Sequence, residues 1–247
     1  MRISEGVVRY GPSPWQRVDT YLADEDRSGP PVVLLHGGFW RHDRTARDLE
    51  PLAVELVRRG CRIAVVEYRP TWDGGMWPAA VHDCVAALEA LAAPDGTWRD
   101  AVVAGHSAGG HLAMAAVAGR GEGRRMVLLA PVVHLDRAAT LGVGDGAVEH
   151  FLAGHLAGGG SSTAAVPVVT RADVAALTVI EAGCDQAVPA ELMEHQLNRW
   201  RRDGLDPVHH RVPGARHMHL VNPDRAGCAQ SLVALVPEGG TAAEGTA

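Results

Sequence analysis

The sequence predicts an α/β domain built on a mostly parallel, doubly wound sheet with helices on both faces. Three observations carry this. Short, continuously apolar runs recur along the chain, among them Pro31-Val32-Val33-Leu34-Leu35, Ile63-Ala64-Val65-Val66 and Met126-Val127-Leu128-Leu129-Ala130. Segments with apolar residues at helical spacing separate them. Two N-terminal runs instead alternate apolar and polar residues, as half-buried antiparallel strands at a sheet edge do. Strands covered on both faces by crossover helices lose the alternation and read as unbroken apolar runs.

The elements follow in order. Strands are expected over residues 3–10 and 16–22, with Gly11-Pro12-Ser13-Pro14 as the turn between them. After the 31–35 strand, a helix over 44–59 presents Leu49, Leu52, Ala53, Leu56 and Val57 on one face and stops at Gly60. After the 63–66 strand, Pro78 opens a helix to Leu91, with Ala80, Val81, Cys84, Ala87 and Leu88 on its apolar stripe. The strand Ala101-Val102-Val103-Ala104 leads through a tight turn into a helix ending near Ala118. The 126–130 strand is closed by Pro131. Over 132–176 the alternation lapses, and this stretch is read as a small cap over the sheet's carboxyl edge with one helix at 146–156. Leu177-Thr178-Val179-Ile180, a helix over 189–202, a strand over 208–212 and a helix over 224–235 complete the pattern. Residues 1–236 are thus expected to form one domain, and the Gly-, Ala- and Thr-rich 237–247 a disordered tail.

Composition narrows the function classes. The chain has 247 residues and a formal net charge of −6, with no basic cluster of the kind that tracks nucleic acid. Every one of its 23 Lys-or-Arg positions is Arg. Cys61, Cys84, Cys184 and Cys228 lie far apart without C-x-x-C spacing, which reads as free thiols rather than a disulfide or zinc framework. Met1-Arg2-Ile3-Ser4-Glu5-Gly6 has no apolar leader core, and no run approaches membrane-spanning length. The expectation is a cytoplasmic protein with a small-molecule substrate, no nucleic-acid or membrane partner, no cofactor and no metal. A homodimer is the candidate assembly. His36 and His42 have no third ligand at metal-binding spacing.

The chemistry centres on Gly105-His106-Ser107-Ala108-Gly109, set between an apolar run and a helix-forming segment. That context is what G-x-S-x-G requires, because the turn lifts the serine hydroxyl above the strand end and the glycines spare their neighbours a Cβ. In a doubly wound sheet, ligands gather beyond the carboxyl ends of the strands. The residues there are His36-Gly37-Gly38-Phe39-Trp40, Ser107, Glu181-Ala182-Gly183-Cys184-Asp185-Gln186 and Pro213-Gly214-Ala215-Arg216-His217-Met218-His219. Ser, Asp and His in that order resemble the α/β-hydrolase fold over the whole chain apart from the tail.

The resemblance implies that Ser107 is the nucleophile, His217 the base and later acid, and Asp185 the group orienting the imidazole. An oxyanion hole would use the N–H of Ala108 and one from Gly38 or Phe39. His219 is the alternative to His217, and Asp136 and Glu181 are alternatives to Asp185. His36 is expected to pin the oxyanion loop, while His82, His111, His134, His150, His155 and His195 are expected to be solvated or packing residues.

His36-Gly37-Gly38-Phe39-Trp40, Gly105–Leu112, Glu67-Tyr68-Arg69, Trp77-Pro78-Ala79-Ala80 and Gln196 with Trp200 are similar to arylformamidases (kynurenine formamidases) and feruloyl-esterase-like carboxylesterases. Met218 departs from that pattern, standing where the aromatic is usual. Trp40, Trp72 and Trp77 lie in loops at the carboxyl edge and are expected to wall a pocket for an aromatic group. Hydrolysis of a small ester or amide through an acyl-enzyme is the implied activity, with N-formylkynurenine as the specific candidate. A thioesterase or acyltransferase and a non-catalytic binder on the same fold are the alternatives.

Overall fold

The computed structural model describes residues 3–23, 30–93 and 96–236. Its strands are β1 (Ile3–Arg9), β2 (Arg17–Ala23), β3 (Pro31–Leu35), β4 (Arg62–Glu67), β5 (Val102–His106), β6 (Arg124–Leu129), β7 (Val174–Ala182) and β8 (Val208–Val212). Its helices are α1 (Glu50–Arg58), α2 (Ala79–Ala92), α3 (Ala108–Val117), α4 (Leu135–Thr140), α5 (Ala147–Ala157), α6 (Ala190–Arg202) and α7 (Cys228–Leu235). The strands form one sheet in the order β1-β2-β4-β3-β5-β6-β7-β8. β2 runs antiparallel to both β1 and β4, and every other pairing is parallel.

Each central strand feeds two cores. Val33 and Leu35 of β3 face α2, α3 and α6, whereas Val32 and Leu34 face α1 and α7. Both faces are therefore apolar, which is why the alternation vanishes in the sequence. The order reverses at β3, whose successors lie on opposite sides of it as β4 and β5. Such a switch point leaves a crevice where the two following loops part. Here those loops begin at His36 and Ser107, side by side because Leu35 pairs with Gly105.

Four boundaries depart from expectation. The helix over 44–59 is a 3-10 turn (Ala46–Leu49) followed by α1, because Pro51 in the first turn has no N–H to continue a helix backwards. α4 was not expected; it is six residues long and buries only Leu135 and Ala138, too little for a periodic signal. β7 starts at Val174, so the cap ends at residue 173, and two alanines with weak strand preference hid that start. α7 begins at Cys228, four residues later than expected, since the chain before it is occupied by turns closing on Asn222 and Arg225. Residues 237–247 lie outside the described part. Cys61, Cys84 and Cys228 are buried free thiols and Cys184 is exposed. Among the described residues no helix is long and apolar enough to cross a membrane.

Two histidines belong to the core. His111 sits edge-on to Trp40 and Phe151 and donates from Nε2 to the Ala165 carbonyl at 2.7 Å, tying α3 to the cap. His134 packs against Trp200 and His195. Burial pushes both imidazoles down to about 4. An unfolded histidine titrates near 6.5, so below that pH the unfolded chain takes up protons that the folded chain refuses. Their contribution is complete above about pH 6.5, falls between 6.5 and 4, and is flat below. At pH 5 each should remove about 2 kcal/mol of stability. Urea unfolding at pH 7.5 and 5 should show the loss, and His111→Gln should unfold with a shallower pH dependence. An equal slope in the variant would contradict this account.

Candidate active site

Ser107 occupies a backbone conformation that a side chain rarely adopts, with φ 54 and ψ −124. Its surroundings hold it there. The Ser107 N–H donates to the Leu129 carbonyl at 2.9 Å, and its own carbonyl accepts from Gly110 at 2.9 Å and Val132 at 3.0 Å. Strain of this kind persists only when neighbours over-determine it. The flanking glycines are sterically required: a Cβ on Gly105 would lie 2.3 Å from the Gly109 carbonyl oxygen, and one on Gly109 would lie 2.2 Å from that of Leu35.

β7 and β8 deliver the other two groups. His217 opens a 3-10 turn after β8, and its Nδ1 lies 2.8 Å from Asp185 Oδ2. The other carboxylate oxygen of Asp185 accepts from the N–H groups of Ala187 and Val188 at 2.8 and 2.9 Å. The acid is thus aimed by the backbone that follows it. With Nδ1–H donated to Asp185, the lone pair of His217 is on Nε2. His217 and Ser107 line the same cavity, of about 360 Å³, at the carboxyl edge of the sheet. The alternatives fall elsewhere. Glu181 is engaged by His209 at 2.9 Å, Asp136 sits in α4 of the cap, and His219 lines no part of this cavity.

The loop after β3 supplies the cavity's floor. Gly38, Phe39 and Trp40 have φ of 97, 54 and 57 in succession. His36 anchors the loop: its ring stacks on Tyr68 at 4.3 Å, Nε2 meets Glu67 Oε1 at 3.0 Å, and Nδ1 meets the Gly37 carbonyl at 2.9 Å. The Tyr68 hydroxyl donates to the His36 carbonyl at 2.8 Å. Gly37 lies flush against the elbow, where a Cβ would come within 2.7 Å of Ser107 Cβ. Gly38 and Phe39 line the cavity beside Ser107. Ala108 opens α3, so its N–H is one of the helix's orphan donors and faces no intrahelical acceptor.

The three tryptophans separate. Trp40 does not wall a pocket: it is 0% exposed and stacks flat on Phe151 of α5 at 4.1 Å. Trp77 likewise lines neither cavity at this edge, being packed edge-on to His155 at 4.4 Å. Trp40 is thus corrected, because α5 of the cap folds over it, whereas Trp77 stays half-buried against the same helix. Trp72 remains 67% exposed, rests on His150 at 4.4 Å, and lines a second cavity of about 330 Å³.

Two residues named in the sequence only as parts of motifs, His106 and Glu67, lie at this site. His106 lines the cavity, and its Nε2 lies 3.4 Å from the carbonyl of His217. Burial, then the nearby His217 ring, hold His106 well below the ordinary histidine range, so it stays neutral. Glu67 is fully buried and gathers His36, the Ala46 N–H and Arg17 onto one carboxylate. Each is a polar residue closing an otherwise apolar strand, and that contrast was the available signal. Among the described residues no three His, Cys, Asp or Glu side chains are grouped to hold a metal ion.

Several solved structures that match the chain over most of its length are esterases by name. Esterase B of Lactobacillus rhamnosis superposes with a TM-score of 0.72 at 17% identity, covering 93% of this chain and 84% of that one. A thermophilic esterase of Thermogutta terrifontis, with propionate bound, gives 0.68 at 17%, covering 95% and 97%. A bacterial heroin esterase gives 0.68 at 24%, covering 94% and 83%. With the sheet order above, these likenesses establish the α/β-hydrolase fold. Within that class, residues 18–128 match the BD-FAE family model. A kynurenine formamidase of Danio rerio is 31% identical over 111 residues, 43% of this chain and 36% of that protein. The chain therefore spans about a third of the length of that curated relative.

Proposed function

We propose that the protein is a serine hydrolase that cleaves small carboxylic esters or amides through an acyl-enzyme on Ser107. The observation that carries this is the Asp185–His217 pair at 2.8 Å, with His217 on the wall of the cavity that Ser107 also lines. His217 Nε2 takes the Ser107 proton as the hydroxyl attacks the substrate carbonyl, and Asp185 stabilises the imidazolium. Charge on the carbonyl oxygen is met by the N–H of Ala108 and one from Gly38 or Phe39. His217 then gives its proton to the departing alcohol or amine, and water repeats the sequence to release the acid.

The finer reading is an arylformamide of the N-formylkynurenine type. Partial kinship to a kynurenine formamidase supports it, as does a cavity of about 360 Å³ with Arg41, Asp43, Arg44 and Asp48 around it. The lining also has an apolar part, with Phe39, Leu49 and Met218, and it suits a substrate that carries both an apolar and a polar part. The test compares N-formylkynurenine with short aryl esters, using wild-type protein and Ser107→Ala. Deformylation that disappears in the variant is expected. Rapid ester turnover without deformylation would remove the formamide and leave the esterase. No turnover of either, with no labelling of Ser107 by a fluorophosphonate, would sink the hydrolase itself.

A further inference from the structure

We infer that the second cavity is a remote substrate subsite, selecting an aromatic group that carries an amine. This rests on the hydrolase reading of the neighbouring site. The two cavities, of about 360 and 330 Å³, share Phe39, Arg41 and Asp43, so the side chains of the oxyanion loop itself form the partition between them. A substrate with its carbonyl on Ser107 that extends across Phe39 enters the second cavity. There the indole of Trp72, propped on His150 at 4.4 Å and 67% exposed, offers a flat apolar face. Exposed tryptophan within a concavity is an efficient stacking surface for an aromatic ring, and its π-face also attracts a cation.

The charges around it favour a donor. Asp43 and Asp145 line this cavity against one guanidinium, Arg41. Arg41 is already engaged, donating to the Gly144 carbonyl at 3.1 Å and lying 5.7 Å over the Phe39 ring. Gly144 seats that ring, since a Cβ there would come within 2.6 Å of it. The partition is therefore braced by the cap, and the carboxylates remain for a ligand. The class of substrate is an ester or amide whose aryl-amine portion lies a few bonds from the scissile carbonyl.

Two measurements test this. The first compares ethyl acetate, 3-phenylpropyl acetate and its 4-aminomethyl derivative as substrates. The ratio of kcat/KM for the aminomethyl ester to that for ethyl acetate should fall about tenfold in Trp72→Ala, through KM, and be largely restored in Trp72→Phe. Asp145→Asn should lower the preference for the aminomethyl over the phenyl ester. The second is calorimetric titration of 4-(3-hydroxypropyl)benzylamine into wild-type and Trp72→Ala protein, which needs no turnover. Binding about tenfold weaker in the variant is expected. Equal affinity in both proteins, no binding to the wild type, or an unchanged substrate ratio would overturn the subsite. Normal Ser107 labelling and ester turnover alongside such a result would leave the hydrolase reading intact.

Discussion

Asp185→Asn should lower kcat by about four orders of magnitude while leaving the fold in place. The reason lies in what each oxygen of the carboxylate does. Oδ1 accepts from the N–H groups of Ala187 and Val188, and Oδ2 accepts from His217 Nδ1. An asparagine must keep its carbonyl oxygen toward the two backbone donors. Its NH2 then faces His217 Nδ1, and a donor there forces the ring proton onto Nε2. The imidazole so held cannot accept the Ser107 proton. Ser107→Ala, which removes the hydroxyl proposed as the nucleophile, should lose on the order of a millionfold. Steady-state kinetics on a short aryl ester, with near-UV circular dichroism to verify the fold, checks both. Asp185→Asn with near wild-type kcat would mean that the acid is another residue.

Glu67→Ala should destabilise the protein by about 3–5 kcal/mol, or roughly 10 °C in Tm, although the residue touches no substrate. Its carboxylate receives His36 Nε2 at 3.0 Å, the Ala46 N–H at 3.0 Å and Arg17 Nη2 at 3.3 Å. Removing it strands the first two of these in the interior and frees the loop that His36 anchors. Glu67→Gln restores one acceptor but turns an NH2 toward the donors on the other side, so its stability should fall between. Denaturant unfolding measures the ranking, and kcat should fall in the same order as the oxyanion loop loosens. An alanine variant as stable as the wild type would show that the loop is held from elsewhere, as by Tyr68 on the His36 carbonyl and Thr71 on the Trp40 carbonyl.

The parts legible in the sequence share a cause. β3, β4, β5 and β6 are packed on both faces, so their apolar runs announce them without reference to any partner. The elbow glycines are legible because 2.2–2.3 Å clashes with backbone leave no other residue type possible. Asp185 and His217 could be proposed from chain order, because each follows a strand at the same edge. α4 and the start of β7 were hidden for the opposite reason. α4 buries only Leu135 and Ala138, and β7 opens with Val174 followed by the exposed Ala175 and Ala176, so neither shows an apolar run of its own.

Residue order alone determined the alternating α/β layout, the carboxyl edge at which the reactive groups gather, and the serine that local geometry makes exceptional. Those properties follow from burial and backbone sterics, which each segment carries with it. Only the tertiary structure decided that Asp185 rather than Asp136 or Glu181 meets His217, and that His106 lies against the His217 carbonyl. It also decided that Trp72 is open, Trp40 buried and Trp77 half-buried against α5. Each depends on where α5 and the loops after β7 and β8 come to rest against segments tens of residues away, and a contact between distant segments leaves no trace in either one by itself.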